Sequence, residues 1–457
     1  MMHHISQRQK AIVMSAVMSA MLLVALDQTI IATALGKIVE EFQSFSSLTW
    51  VVTAYMLTTT VTVPIAGKMS DIFGRRKILL SGVVIFVLGS FLSGGALDIN
   101  QLIFARAFQG IGGGIIMANA FTIAGDLFSP RERGKWQGLI GAVFGLSSVI
   151  GPLLGGFLTD PHTFLGLTTN WRWTFWINVP IGIVSFAIIA KYLPVIRHDH
   201  RPKIDYLGAS FITVALASLI LAVDNTDKVF ASLIDDGISL TAIKTVLYSL
   251  TALATAGFIW AERRANEPII PLRFFRNRNF SLFMLIALLF GAAFLGAILY
   301  LTQFNQQVFG ANATESGLML LPMVFGLAAT ATLTGRMISR TGSYKVFLLS
   351  GFSVATLAIL SLSLLTPESP YWHEAIMMLF AGAGLGAGMP IMNVAVQNEF
   401  TQKDLGAATA SAQLFRGLGS TIGTAVLGTL LVTGISTQLG DISQDAYIQT
   451  LRKQPAA

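Results

Sequence analysis

Residues 67–77 read GKMSDIFGRRK, and a related stretch, GRMISRTGSYK, occupies residues 335–345. Each stretch follows the second long apolar run of its half of the chain, and each keeps glycine at its first and eighth positions. A short basic loop between two apolar runs is typical of a protein that crosses a membrane several times. The recurrence predicts that the chain contains two copies of one helical unit.

Two further glycine patterns recur in the same order. Gly110, Gly112, Gly114 and Asn119 return as Gly384, Gly386, Gly388 and Asn393, and Gly134, Gly145 and Gly151 return as Gly406, Gly417 and Gly423. Chance likeness between glycine-rich membrane helices is the alternative reading, because small residues are common wherever such helices pack. The agreement of loop, helix and order favours a six-span unit used twice, with two spans inserted between the copies.

The composition indicates that lipid is the solvent. Of the 457 residues, 53% are hydrophobic and 12% are charged, whereas soluble domains carry about 25% charged residues. Apolar runs long enough to cross a bilayer begin near Ile12, Leu48, Ile78, Leu102, Gly138, Trp173, Leu207, Ile238, Phe280, Gly317, Val346, Ala375 and Leu405. The sequence therefore predicts an all-α integral membrane protein with thirteen spans.

Lysine and arginine fall mostly on alternate loops between these runs. The positive-inside rule then predicts a cytoplasmic amino terminus. The net charge of +7 is explained by these loops, so nucleic acid is not an expected partner. The chain has no cysteine, no histidine cluster with metal-ligand spacing and no phosphate-binding loop. We therefore expect neither an enzyme nor a metal site, and no cofactor.

Asp27 lies well inside the first span, where an aspartate costs roughly 2.5 to 3.5 kcal/mol. Arg106, near the outer end of the fourth span, is predicted to lie at a comparable depth and to pair with it. A carboxylate facing a cavity in the bundle can carry a proton or meet a cationic substrate, and a neighbouring arginine favours release of the proton. The alternative is a static ion pair that fixes helix packing.

Residues 67–77 are also a candidate gate. Gly67 and Gly74 allow a tight turn, and Asp71 is placed to cap a helix or to pair with Arg75. We call Gly67, Asp71, Gly74, Arg75 and Arg76 the loop gate, which we expect to act as a two-state latch on the cytoplasmic face. An ordinary basic loop is the alternative. The second copy has Ser339 in place of Asp71, so any gate is expected to be asymmetric.

The fifth span carries many glycines and one internal proline. Its small residues and its proline are Gly141, Gly145, Gly151, Pro152, Gly155 and Gly156. They predict a smooth face that packs closely, with a bend at the proline. Thr424 replaces Pro152 in the second copy, so the bend is expected in one half only. Close packing without motion is the alternative.

Arg416 lies in the middle of the thirteenth run. A buried arginine needs a partner, and a backbone carbonyl and Glu399 are the candidates for a static pairing. A role for Arg416 in transport is the alternative. Gln109 and Asn178 complete the few polar groups placed inside the spans. Their small number argues against a sugar site.

These patterns resemble the motifs of the major facilitator superfamily, in particular its fourteen-span drug:proton antiporter family. The matching stretches are LDQTIIATAL (26–35), GKMSDIFGRRK (67–77), RAFQGIGGG (106–114), GLSSVIGPLLGG (145–156) and NWRWTFWINVPIG (170–182). The resemblance implies that Asp27 takes part in proton or cation recognition and that Arg106 takes part in proton coupling. It also implies that Asp71 and Arg75 act in the loop gate, and that Gly151 and Pro152 act in conformational switching during antiport.

The resemblance further implies a fold of two pseudo-symmetric six-helix bundles, residues 1–200 and 266–457, joined by two inserted helices within 201–265. The expected function is proton-driven export of lipophilic, often cationic, small molecules across the inner or plasma membrane, by alternating access. A transporter of a metabolite, lipid or sugar and a non-transporting receptor are the alternatives. The family's fourteenth span has no counterpart after Ile435, so the final helix is expected to be missing. An adaptor protein is neither indicated nor excluded.

Overall fold

The structure, a computed structural model, describes residues 6–43, 48–161, 163–164, 167–194, 204–223, 226–311, 313–366, 368–401 and 403–442. Most of the basic residues expected in the loop after the sixth span, and the polar tail after 442, lie outside these ranges. The first half contains α1 (Gln7–Phe42), α2 (Leu48–Phe73), α3 (Arg75–Gly94), α4 (Ile99–Leu127), α5 (Pro130–Thr159), α6 (Trp173–Trp176) and α7 (Asn178–Tyr192). Two short strands, β1 (Thr163–Phe164) and β2 (Leu167–Thr168), pair antiparallel between α5 and α6.

The middle of the chain contains α8 (Tyr206–Val223), α9 (Thr226–Val229), α10 (Ala231–Asp235), α11 (Leu240–Arg264) and a 3₁₀ helix (Leu272–Arg276). The second half contains α12 (Arg278–Gln307), α13 (Ala313–Met319), α14 (Leu321–Thr341), α15 (Lys345–Leu362), α16 (Tyr371–Glu399) and α17 (Leu405–Ile442). Within the described ranges, 13 helical segments are long and apolar enough to cross a membrane. The predicted all-α class and the predicted spans are therefore confirmed.

Local sequence explains where several helices begin. Ser129 and Glu132 form a capping box at α5, with Pro130 at its start. Asp98 accepts a hydrogen bond from the Gln101 amide at 2.9 Å and so caps α4, and Asn277 caps α12. The tenth span begins at Leu321 rather than near Gly317, because Pro322 favours the first turn of a helix.

The helices pack as two groups. In the first half α4 contacts α2 and α3, and α1 contacts α5 and α7; in the second half α16 contacts α14 and α15, and α12 contacts α17. The inserted helices α8 and α11 pack against each other. The groups meet where α5 packs on α14 and α2 packs on α17. The division of the chain at residues 200 and 265 remains a prediction.

One end of the molecule holds the start of α1 and the connections α2–α3, α4–α5, α11–α12, α14–α15 and α16–α17. We call it the basic-loop end. Of the two glycines expected to allow a tight turn there, Gly74 does so, with φ of 90°, whereas the expectation for Gly67 is wrong, because Gly67 lies inside α2. Gly342, at the matching position of the second copy, has φ of 70°. Side chains with a Cβ are disfavoured in that region, so both copies of the repeat need glycine at this position.

Candidate functional site

Asp27 lies in a closed cage of hydrogen-bond donors in the first half. Its Oδ2 accepts from Arg106 Nη1 at 2.5 Å, and its Oδ1 accepts from Gln109 Nε2 at 2.8 Å and from Asn178 Nδ2 at 3.4 Å. None of these four side chains is more than 2% exposed. We call Asp27, Arg106, Gln109 and Asn178 the Asp27 cluster. The ion pair expected from the sequence is present, and Gln109 and Asn178 join it.

Aromatic rings enclose the guanidinium of this cluster. The Arg106 guanidinium carbon lies 4.1 Å from the Tyr55 ring centroid and 5.6 Å from that of Phe175. Arg106 also donates to the Val51 carbonyl at 3.4 Å. Stacking on the rings stabilises the buried guanidinium, and a low local dielectric strengthens its attraction to the carboxylate. The pair therefore ties α1 to α4 as long as Asp27 is ionised.

Sequence reasoning missed a second set of contacts beneath the cluster. Asn178 Nδ2 also donates to Ser90 Oγ at 2.9 Å, and Ser90 donates to the Phe175 carbonyl at 2.9 Å. The Asn178 Oδ1 atom is buried without a hydrogen-bond partner. An acceptor left open beside a carboxylate can receive a proton-bearing group. Ser90 gave no signal in the sequence, because serine is common in membrane helices.

The loop gate is built around Arg75. Its guanidinium forms an ion pair with Asp71, four residues earlier. It forms a second ion pair, of 2.7 Å, with Asp126 at the end of α4. It also donates to Ser70 Oγ at 2.6 Å. Arg76 donates instead to the Ala190 carbonyl of α7. Asp126 was not predicted, because a carboxylate in the last turn of a helix usually reaches water.

Asp71 also reaches the other half of the molecule. Its two carboxylate oxygens accept from the backbone amides of Gly406 at 3.1 Å and Ala407 at 2.9 Å, in the first turn of α17. Those amides have no partner within their own helix, and a negative charge is favoured there. Gly67 permits this approach, since a Cβ at Gly67 would lie 3.0 Å from the Gly406 carbonyl oxygen. The cap predicted for Asp71 is therefore one that joins the two bundles.

Further contacts join the bundles at the same end. Arg133 donates to Asn398 Oδ1 at 3.3 Å, and Gln397 donates to the Phe121 carbonyl at 2.9 Å. Lys68 of α2 pairs with Glu267 at 2.6 Å, in the segment that follows the inserted helices. Burial raises the pKa of the Glu267 carboxyl, but the hydrogen bond and charge of Lys68 outweigh it, so the pKa lies below its ordinary value. The carboxylate therefore stays ionised at neutral pH, and the pair persists.

The glycines of α5 serve two different neighbours. A Cβ at Gly151 or Gly155 would meet α1, at Thr29 and Thr33 respectively, whereas a Cβ at Gly145 would lie 3.3 Å from Leu327 of α14. Gly156 faces open space. The helix continues through Pro152 without a break. The sequence predicted a single smooth face on α5, but the glycines form two faces, one packed on α1 and one on α14. Gly156 belongs to neither face.

Replacing Gly151 by alanine is expected to lower the stability of the protein by about 1–3 kcal/mol, because the added methyl group overlaps Thr29. Gly156→Ala is the matched control, and its effect is expected to stay within about 0.5 kcal/mol. Thermal unfolding of both variants in the same detergent measures the difference. Equal midpoints for the two variants would contradict the close approach of α5 to α1.

Arg416 has a different environment from the one expected. Glu399 accepts from Asn277 at 2.8 Å and from Asn279 at 2.9 Å, at the basic-loop end. It is therefore not the partner of Arg416. The Arg416 guanidinium carbon lies 5.6 Å from the ring centroids of both Phe121 and Phe144. These rings belong to α4 and α5, so Arg416 reaches across the interface between the bundles.

The comparisons with known proteins agree with this architecture. The model of the Major Facilitator Superfamily matches residues 17–424. Among solved structures, the human organic anion transporter MFSD10 superposes with a TM-score of 0.67 at 16% identity, covering 91% of this chain and 92% of that one. The proton:xylose symporter XylE superposes with a TM-score of 0.64 at 14% identity, covering 93% of this chain and 90% of that one. At such identities the likeness shows the fold alone.

The sequence relatives are transporters. The chain is 35% identical to the multidrug transporter protein MdtP of Bacillus subtilis, over 98% of this chain and 80% of the relative. It is 38% identical to an uncharacterized MFS-type transporter of Mycobacterium tuberculosis, over 95% of this chain, and it spans 61% of that relative's length. Multidrug resistance protein 3 of Bacillus subtilis is 35% identical over 95% of this chain and 82% of its own length. From the family model, these relatives and the helical architecture, we conclude that the chain belongs to the Major Facilitator Superfamily of membrane transporters.

Proposed function

We propose that this protein is a proton-coupled antiporter that exports lipophilic, often cationic, small molecules across the inner or plasma membrane. The observation that carries the proposal is the Asp27–Arg106 ion pair, at most 2% exposed inside an apolar bundle. A buried ionisable pair in a membrane span is a functional site by default. The names of the relatives support efflux of drugs, since MdtP and multidrug resistance protein 3 are both named for it.

In the proposed cycle the proton exchanges on Asp27. The ionised carboxylate pairs with Arg106, whereas the protonated one leaves the guanidinium without its counter-charge. When that attraction is lost in a low dielectric, the difference in free energy between two packing arrangements of α1 and α4 changes. Proton binding and the change of access are thereby linked. The proton gradient supplies the energy, and no cofactor is required.

In the proposed orientation the basic-loop end faces the cytoplasm, as the positive-inside rule requires. The contacts of Asp71 with α17 and of Arg133 with Asn398 then close the cytoplasmic side. Substrate reaches the cavity from the cytoplasm once these contacts break. The Asp27 cluster itself is sealed by its own donors, so a cationic substrate acts on Asp27 through the bundle and not by direct contact in this conformation.

The test is proton movement in liposomes that contain the purified protein and an imposed pH gradient. A lipophilic cation, tetraphenylphosphonium, is added, and the internal pH is followed with an enclosed dye. We expect the cation to evoke proton movement that stops when a protonophore collapses the gradient. Protein-free liposomes are the control. Uptake of the cation without any proton movement would contradict antiport.

A further inference from the structure

Arg416 lies on α17 at membrane depth and remains unexplained by the cycle above. It follows the start of that helix by eleven residues, or about 16 Å at 1.5 Å per residue. A cation at that depth is costly unless something compensates it. The group that offsets the cost of burying the Arg416 charge therefore bears on the function of α17.

The acidic side chains that could pair with Arg416 are engaged elsewhere. Asp27 pairs with Arg106, Asp71 and Asp126 pair with Arg75, and Glu399 pairs with two asparagines. Among the described residues, no hydrogen bond or ion pair involves the Arg416 side chain. Its described contacts are the two phenylalanine rings. Aromatic stacking offsets part of the desolvation but supplies no acceptor for the N–H groups.

The Arg416 guanidinium also borders open space. Its side chain is only partly buried, and its nitrogens are not among the unpaired polar atoms that are sealed from solvent. The next residue on α17, Gly417, has no atom within 4 Å of where a Cβ would stand. The guanidinium thus contacts two rings, and its side chain is not fully sealed from solvent.

A planar guanidinium with free edge donors is suited to a carboxylate. The two oxygens of a carboxylate match the fork of the guanidinium, and the pairing is strongest where water is scarce. Phe144, which is partly exposed, offers an apolar surface to the rest of a ligand, whereas Phe121 is fully buried. Because Phe144 belongs to one bundle and Arg416 to the other, a ligand held by both bridges the interface that must rearrange during transport.

We propose that Arg416 and Phe144 form a binding site for lipophilic molecules that carry a carboxylate group. The proposal rests on the proposed export function and extends its substrates from cations to organic anions. A cationic substrate gains nothing at this arginine, so the two classes occupy different parts of the same cavity.

The probes are pyrenebutyrate and its neutral amide, which differ only in the charged group. Binding of each to the full chain in detergent is measured by the change in pyrene fluorescence. The native protein is expected to bind the acid at least ten times more tightly than the amide. In Arg416→Gln this ratio is expected to fall to about one, since the glutamine keeps a polar side chain without the charge.

Arg416→Lys guards against loss of folding, because it keeps the positive charge. It is expected to retain part of the preference for the acid, and Arg336→Gln, an exposed arginine of the basic-loop end, is expected to retain all of it. Equal binding of acid and amide by the native protein, or no preference in Arg416→Lys, would overturn the proposal. Proton movement with tetraphenylphosphonium reports on antiport separately, so a charge preference without proton movement would refute antiport and leave this site standing.

Discussion

Asp27→Asn is expected to reduce substrate-driven proton movement to the level of protein-free liposomes. Asparagine keeps the size of the side chain and still accepts a hydrogen bond from Arg106, but it cannot bind and release a proton. The variant should still bind tetraphenylphosphonium, because the Asp27 cluster is sealed from the cavity. Proton movement and cation binding are measured on the same preparation. Asp227→Asn, which removes an exposed carboxylate, is the matched control.

A second variant separates proton coupling from a static ion pair. Asp27→Asn leaves Arg106 without a counter-charge, which destabilises a buried site by up to about 3–5 kcal/mol. Combining it with Arg106→Gln removes both charges and is expected to recover much of the thermal stability but none of the proton movement. If the double variant moved protons at the native rate, the pair would be structural and the proposed cycle would be wrong.

Asp71→Ala is expected to open the basic-loop end. The change removes an ion pair to Arg75 and two hydrogen bonds to the first turn of α17. A lost helix cap alone costs about 1 kcal/mol, and a broken buried pair costs more. A shift of 1.4 kcal/mol is tenfold in an equilibrium constant, so we expect at least a tenfold rise in the open population.

The chain contains no cysteine, so a single reporter is unambiguous. Gln137→Cys places a thiol on α5, where the native side chain is 1% exposed and faces Gln397 of the other bundle. Its rate of reaction with a maleimide measures the open population. Ser339→Ala is the control at the matched position of the repeat, where the hydroxyl donates only to its own helix, at Gly335. An equal increase in labelling with both variants would contradict an asymmetric gate.

The spans were predictable because bilayer thickness fixes the length of apolar sequence that each needs. The Asp27–Arg106 pair was predictable for a related reason: an aspartate at that depth requires compensation, and Arg106 lies at the same depth. Asp126 was missed, since its position at a helix end carries no such penalty. Glu399 was wrongly considered for Arg416, because sequence alone does not place the end of α16 beside the start of α12.

The contacts between the bundles were the least predictable part of the site. Asp71 was expected to cap a helix, but the helix it caps begins 334 residues later, at Leu405. In the proposed alternating-access cycle, such a contact exists in one state and breaks in another. Composition and periodicity describe helices that are common to both states, so they do not specify which loops meet.

The glycine seam between α5 and α14 has a mechanical consequence. A Cβ at Gly134 would lie 2.7 Å from the Gly335 carbonyl oxygen, and one at Gly138 would collide with the Ala331 carbonyl. At these points the backbones of the two helices come into close contact. Helices in close backbone contact can move past each other by small shear displacements. Movement along this seam should therefore have a low activation enthalpy. The turnover rate of the transporter is then expected to depend mainly on the polar contacts of the basic-loop end.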